Sequence, residues 1–491
     1  MDEEYIKLIF GLKLRQIRNE SKLSLFGLSK LTGMSKSYLN EIENGKKYPK
    51  PDKIAILSDK LDVPYDQMVS LKLDKNLAPV GDLLKSNILK EIPLELFGIK
   101  ESTLIDIVSN APAKVNAFIS TIIEIAQSYN LSKESFYLAS LRSYQEANNN
   151  YFPDLEKKVL DFSKSYHLDL DRVIKSTELE EILVEEYGYS IIKNELEKYK
   201  LLGKLRSVFI PKSKTLLLTE EVDRSQLNFI YAKELAYNFL EIADRLNTFP
   251  WIKFESFDQV LHNFYASYFA GALILPKEKI TEELGAFFSQ KEFDLELFKN
   301  TLVETGTSPE TYFQRLTNIL PSSFNLKNLF FLRFTHEKES SQFSLNKELH
   351  LTHHHSPRSN ESDEHYCRRW VSLRVLQKIA IQEDAIVFDA QISHYPDHGS
   401  SYLVISAATA DPFKKDTYRS TSLGLLINNQ LRKKIKFLDD DNLKTQNVGV
   451  TCERCAIQDC GVRQAAPVYV QKDEIDHEIS SLVDQLENKY S

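Results

Sequence analysis

Apolar positions along the first 70 residues recur at helical spacing in five short runs. Ile9, Leu12, Leu14 and Ile17 fall on or near one face of a first helix over Tyr5 to Asn19. Ser24 is a good N-cap for a second helix, Leu25 to Thr32, and Gly33 supplies the turn after it. A third helix is predicted from Ser35 to Asn44, stopping at Gly45. Pro51 opens a fourth at the position where its missing N–H costs nothing, and Asp62-Val63-Pro64 breaks the chain before a short fifth.

The pattern then changes. Residues 71–150 read as a helical connector with apolar faces (Leu83, Leu84, Ile88, Ile92, Leu96). Residues 151–290 mix helical spacing with strand-like runs at Ser207–Ile210 and Thr215–Leu218. Residues 295–470 open with a helix around Tyr312–Leu320. Strand-like runs follow at Leu329–Phe334, Ala385–Phe388, Tyr402–Ala407 and Ser422–Ile427. The polar, His-rich stretch 336–365 reads as a loop. A charged tail of helical spacing, 471–491, closes the sequence. The fold class expected is multidomain, mainly α with α+β: a five-helix N-terminal domain, an α+β middle domain at 151–290, and an α+β C-terminal domain at 295–470 with a cysteine cluster.

Charge sharpens this division. The 491 residues carry a formal net charge of −8, yet between Lys7 and Lys53 there are eleven Lys/Arg against four acids. A local excess of +7 in an otherwise acidic chain fits one domain facing phosphate and others facing something else. No apolar run approaches the ~18 residues of a membrane span. The acidic start, MDEEYIKLIF, lacks the pattern of a secretory signal, so a cytoplasmic protein with no membrane partner is expected.

Two helices joined by a tight turn are the unit that places a second, recognition helix in the DNA major groove. Here that helix offers Lys36, Ser37, Tyr38 and Asn40 outward, with Leu39 and Ile42 inward. Asn suits adenine edges and Lys suits guanine edges. Ser24 and Ser35 stand at the two helix starts. Lys46 and Lys47, with Lys50 beyond, would sit beside the backbone and position the domain without reading sequence. The alternative is a small helical domain with solvated lysines. The stretch LSLFGLSKLTGMSKSYLNEIENGKKYPKPDKIAILSDKLDVPYDQM resembles the Xre/Cro-like repressor family along its length, including Ser-x-x-Tyr-Leu-x-x-Ile-Glu-x-Gly at Ser35–Gly45. That resemblance implies sequence-specific binding of a double-stranded operator, and two such domains on half-sites imply a homodimer.

Residues 224–237, RSQLNFIYAKELAY, resemble the core helix of the ImmA/IrrE-like metallopeptidases, which carries His-Glu-x-x-His. In that motif two His on one helix face hold zinc and the Glu is general base. Lys233 and Tyr237 stand here where the histidines belong, and Glu234 alone remains. A Lys ammonium is a poor zinc ligand. The following helix segment, 264–276, has no acid near its start, and His262 is the nearest candidate ligand. The expectation is a fold kept without peptidase chemistry, hence no enzyme. Tyr231, Tyr237, Phe239, Phe264, Tyr265, Tyr268 and Phe269 are available either to line an apolar cleft or to form an ordinary core.

Three of the four cysteines form C-x2-C-x4-C at Cys452, Cys455 and Cys460; the fourth is Cys367 in HYCRRW. So few cysteines, so clustered, point to a metal or cluster rather than a disulfide scaffold. A [4Fe-4S] cluster and Zn2+ both accept four thiolates. His365 is the substitute if Cys367 only packs. The consecutive histidines His353 to His355 lie in a polar stretch without a ligand period and read as a solvated loop.

The blocks SPETYFQRLTNILP at Ser308–Pro321, HYCRRW at His365–Trp370 and VGVTCERCAIQDCGVRQAAP at Val448–Pro467 resemble the short-chain fatty-acyl transcriptional regulators. The order of the three domains adds to that resemblance. It implies an acyl-CoA-type effector and an Fe–S cluster on the C-terminal cysteines. A CoA ligand needs cations for its phosphates and an apolar slot for its acyl chain. Arg315, Arg333, Arg368 and Arg369 are the candidates for the phosphates. Two other readings differ in kind. One is a metallopeptidase acting on a partner repressor; the other is a redox or iron sensor with no acyl ligand.

Overall fold

The computed structural model describes residues 3–71, 133–202, 205–220, 222–250, 253–351, 364–382, 385–397, 399–411 and 414–490. The chain divides into two compact units, residues 1–144 with 255–257, and residues 145–254 with 258–491.

The first unit begins with five helices: α1 (Glu3–Glu20), α2 (Leu25–Thr32), α3 (Lys36–Glu43), α4 (Pro51–Leu61) and α5 (Tyr65–Val69). They differ from the expected ranges by no more than two residues at any end. Phe10, Leu14, Leu28, Leu39, Ile42, Ile54, Leu57 and Met68 meet in one buried core. Gly45 is fixed by two demands. Its φ is +67°, and an added Cβ would lie 2.6 Å from Leu8 Cδ2 on α1. The connector enters the described residues only with helix α6 (Lys133–Ala147); its earlier apolar positions lie outside them.

The second unit is α+β. It contains α7 (Pro153–Ser165), α8 (Ser176–Glu185), strands β1 (Ser190–Lys193), β2 (Ser207–Ile210) and β3 (Thr215–Leu218), helix α9 (Arg224–Phe239) and β4 (Thr248–Phe249). Helices α10 (Phe257–Ile274), α11 (Lys277–Ser289), α12 (Leu295–Thr305) and α13 (Pro309–Phe324) follow. The remaining strands are β5 (Leu329–Glu337), β6 (Ser344–His350), β7 (Ile386–Tyr395), β8 (Ser400–Ala410), β9 (Thr417–Leu426) and β10 (Thr445–Asn447). Helix α14 (Val371–Ile379) precedes β7, α15 (Asn429–Lys434) follows β9, and α16 (Val468–Tyr490) is the tail.

Both sheets are mixed. The smaller has order β1-β3-β2-β4 and the larger β10-β7-β8-β9-β5-β6. Parallel pairing occurs at β1–β3 and β10–β7; the other pairs are antiparallel. One face of the larger sheet (Phe330, Leu332, Phe334, Tyr402, Val404) packs under α14 and Trp370. Period-2 alternation in β5 sends Arg333 and Thr335 to the opposite face.

The stretch expected as one loop, 336–365, is only partly so. His336 ends up buried on β5, and 344–350 form β6 against it. Lys347 and Glu348 disguised that strand, because an edge strand can carry charge freely. The histidines 353–355 lie outside the described residues.

Candidate functional site

The recognition helix is set by its two ends. Ser35 Oγ accepts from the Tyr38 N–H at 3.1 Å, and Ser24 Oγ caps α2 by accepting from the Gly27 N–H at 3.0 Å. Gly33 between them has φ +69°, which turns the chain from α2 into α3. Leu39 and Ile42 are fully buried, while Lys36, Ser37 and Asn40 are exposed and Tyr38 half-buried. Lys46 and Lys47 are exposed just beyond the helix; Lys47 lies 3.6 Å from Glu41 and 5.2 Å from the Tyr38 ring. The polar groups expected to face DNA therefore share one open surface with its lysines.

Not every cation of the basic stretch is on that surface. Arg18 holds the buried Glu43 carboxylate through two bonds (2.6 and 2.8 Å), and Arg15 donates to Asn44 at 2.9 Å. Lys13 is buried and donates to the carbonyls of Gln67 and Ser70. These three tie α1 to α3 and α5 rather than meeting phosphate. The count of +7 already cancels the Arg18–Glu43 pair but overstated the charge offered outward, because Lys13 and Arg15 donate to neutral acceptors inside the domain. It also missed Phe26, which is 60% exposed at the start of α2.

In the middle of the second unit, α9 is buried on nearly every side from Ile230 to Tyr237. Lys233 and Tyr237 are the residues that the sequence resemblance sets against the histidines of the peptidase motif. Lys233 Nζ donates to Asn263 Oδ1 at 2.6 Å and lies 4.8 Å from the Phe249 ring. Burial pulls its pKa down to about 7. Glu234 is gripped by Arg245, with both oxygens 2.6 Å from Nη2, and also accepts from Tyr189 at 3.1 Å. Arg245 is itself stacked 4.0 Å from the Tyr237 ring and 4.3 Å from the Phe209 ring. A carboxylate held this way is an ion-pair partner. His262 turns to the Asp244 carbonyl at 2.7 Å instead. Sequence reasoning missed Arg245 and Asn263, which lie outside the motif. Tyr231, Tyr268 and Phe269 are core side chains, and Tyr237 alone of the seven aromatics borders a cavity of about 420 Å³ beside Arg245.

The cysteines are brought together by pairing between two distant segments. Tyr366 forms an antiparallel bridge with Thr451; the Cys367 N–H donates to Val450 O at 3.0 Å, and the Cys452 N–H to His365 O at 2.8 Å. Cys367 thereby comes within electrostatic reach of Cys452 and Cys455, and Cys455 within reach of Cys460. All four are free thiols; three are buried and Cys460 is half-buried. The N–H groups of Gly449 and Arg369 point at the Cys367 sulfur, that of Ile457 at Cys455, and that of Gln464 at Cys452 (3.4 Å). Arg463 crosses the loop, donating to the carbonyls of Cys452, Cys455 and Ile457. Gly449 leaves the space, since a Cβ there would lie 2.7 Å from the Cys455 sulfur. Burial pushes the Cys367 thiol up to about 11 and raises Cys455 as well. His365, the substitute ligand, is tied to Glu453 at 2.7 Å. Among the described residues no three Cys, His, Asp or Glu side chains close around one point at ligating distance. Three of the four sulfurs, those of Cys367, Cys452 and Cys455, have N–H groups aimed at them, the kind of outer contact that a metal-bound thiolate takes.

The four arginines expected to gather CoA phosphates share no partner. Arg315 is buried and holds Glu156 through two bonds (2.6 and 2.9 Å), joining α13 to α7. Arg333 pairs with Glu310 at 2.9 Å. Arg368 donates to Ser341 O at 2.6 Å and lies over the Phe343 ring, and Arg369 binds the carbonyls of Asn447 and Asp459. Arg315 is a structural ion-pair residue: its guanidinium is filled by Glu156 and the Leu275 carbonyl.

Comparison with known proteins bears on the first of these sites. A helix-turn-helix family model, HTH_3, matches residues 14–68. Over 61 residues the chain is 39% identical to the HTH-type transcriptional repressor RghR of Bacillus subtilis (strain 168), covering 12% of this chain and 45% of that protein. Over 62 residues it is 39% identical to the uncharacterized HTH-type transcriptional regulator RghRB of the same organism, again 12% and 45%. The chain thus spans under half the length of these curated relatives. A solved Mycobacterium tuberculosis transcriptional regulator is similar at 19% identity and a TM-score of 0.46, over 66% of this chain and 92% of that one. Residues 14–68 are a helix-turn-helix domain; among the described residues no helix is long and apolar enough to cross a membrane.

Proposed function

We propose that this chain is a DNA-binding transcriptional regulator whose N-terminal unit reads an operator and whose second unit carries the signal-receiving parts. One observation carries the reading: α3, capped by Ser35 and seated through Leu39 and Ile42, presents Lys36, Ser37 and Asn40 on the open side. Base edges in a major groove are met by the N-terminal side chains of such a helix, and Lys46 and Lys47 follow it at the height of the phosphates. Phosphate contacts supply affinity and Asn40 supplies discrimination. A homodimer on two half-sites about 34 Å apart gives both enough strength.

The second unit is read as an ImmA/IrrE-like fold without its peptidase chemistry, joined to a short-chain fatty-acyl-regulator-like domain at 295–470. The Glu234–Arg245 pair and the Lys233–Asn263 bond support the first part. Cys367, Cys452, Cys455 and Cys460 would hold a [4Fe-4S] cluster or Zn2+. Such a centre supplies a redox-sensitive or purely structural crosslink between the 365–370 and 448–460 segments. An acyl-CoA-type effector acting on DNA affinity through this unit is reciprocal: DNA then alters effector affinity by the same factor.

The test is selection of bound duplexes from a random-sequence pool by the purified full chain. Enrichment of one motif, with two related halves, is the expected result. Retention of duplexes with no enriched motif would remove the regulator reading.

A further inference from the structure

The face of the larger sheet that Arg333 occupies carries cations where a sheet normally avoids them. Arg333 on β5 is the direct cross-strand partner of Lys347 on β6, and like charges so placed repel. One same-face step along β5, Thr335 faces Arg419 on β9. Glu310 answers part of this charge, 2.9 Å from Arg333 and 3.6 Å from Lys347, and Asp411 answers Arg419 at 2.6 Å. Arg206, over the Phe249 ring at 5.3 Å, lies within electrostatic reach of Arg333 and Arg419; Lys233, over the same ring at 4.8 Å, lies within reach of Lys347. Glu234 and its partner Arg245 also lie within electrostatic reach of Lys233, so six cations and three carboxylates share one region of the second unit. Buried charge on this scale calls for an opposite charge.

Three details show room for one. Lys233 is a buried ammonium whose hydrogen bond goes to a neutral amide oxygen, Asn263 Oδ1. Arg333 Nε is buried with no hydrogen-bond partner. Lys347 keeps 47% of its side-chain surface open, so a solute can reach this end of the cluster. Further along the same face, Phe331 and Leu423 are paired and buried.

We propose that this cation cluster is an anion-binding site, built by Lys233, Arg333 and Lys347 with Arg206 and Arg419 beside them, for the phosphate or carboxylate of a small metabolite. The assignment differs from the four arginines that the sequence suggested, keeping only Arg333. Its consequence for DNA binding rests on the proposed regulator reading, but occupancy does not and is measured without DNA.

The experiment is thermal unfolding and calorimetric titration of the full chain with inorganic pyrophosphate and with succinate, at ionic strength held constant with chloride. A saturable rise in unfolding temperature with pyrophosphate alone assigns phosphate, and with succinate alone assigns carboxylate. Lys347→Gln, at an open position, is expected to fold and to weaken binding about tenfold, the loss of one charge-assisted bond. Lys233→Met keeps the apolar stem; it is expected to unfold at an equal or higher temperature without anion and to lose the anion response. The assignment is overturned if neither anion acts beyond chloride, or if the response survives unchanged in Lys347→Gln. It is equally overturned if Lys233→Met folds and binds as the parent does.

Discussion

Glu43 ties the recognition helix to α1. Its carboxylate is 2% exposed and held by Arg18 at 2.6 Å, with Arg15 Nε at 3.6 Å. Glu43→Ala would leave two guanidinium groups, each about one-seventh exposed, facing a space without their counter-charge. Removing one partner of a buried pair costs about 3–5 kcal/mol. A domain of this size has a total stability of only about 3–10 kcal/mol. The substitution is therefore expected to unfold the five-helix domain locally in a large share of molecules. Glu43→Gln keeps hydrogen-bond acceptors and should cost less. The pair Arg18→Met with Glu43→Leu, which leaves no stranded charge, should recover most of the loss. Hydrogen exchange on the full chain reads this directly: amides of 3–69 should exchange faster in Glu43→Ala, while those of β8 and β9 stay as they were. An opening free energy in α3 changed by less than about 1 kcal/mol would refute the reasoning, because a solvated pair gives that value.

Three further outcomes follow from the same structure. Ser35→Ala removes the acceptor for the Tyr38 N–H and should lower the local stability of α3 by about 1 kcal/mol, measured by the same exchange experiment. In the second unit, burial raises the Glu310 and Glu156 carboxyls, but Arg333 and Lys347 on the one and Arg315 on the other outweigh it, leaving Glu310 at about 2 and Glu156 below its ordinary value. Stability from both is full above the ordinary carboxylate range near pH ~4.3 and is lost as pH falls toward ~2; denaturant titrations across that window should show the decline, flattened in Glu310→Gln. Anaerobically purified protein should contain about four irons or one zinc per chain, and Cys455→Ser should lose them; protein free of both metals would remove the thiolate centre.

The parts legible in the sequence are those whose signals are local. Ser24, Gly33, Ser35 and Pro51 each mark a helix end by their own chemistry, and each marks it in the structure. The runs in β2, β3, β5, β8 and β9 showed because they are apolar strands inside sheets. What was missed depends on partners far away in sequence. β6 is an edge strand whose Lys347 and Glu348 hide its period, and Glu310, which answers Lys347, comes from α13. The outward charge of the first domain was overread because Lys13 and Arg15 turn to neutral acceptors, on Gln67, Ser70 and Asn44, only once α1, α3 and α5 pack. Arg315 looked available for phosphate until Glu156, from α7, filled its guanidinium. The cysteine spacing pointed to the 452–460 loop, but only the Tyr366–Thr451 bridge shows how Cys367 reaches it.

The central claim is that α3 reads bases while the lysines after it hold phosphate. The most direct measurement titrates the full chain, Asn40→Ala and Lys46→Ala onto a selected duplex and a scrambled one across a range of salt. The account predicts that Asn40→Ala loses about 1–3 kcal/mol on the selected duplex and little on the scrambled one. Lys46→Ala should weaken both alike and lower the salt slope by about 1. Equal binding of the parent to both duplexes, unchanged by either substitution, would contradict it.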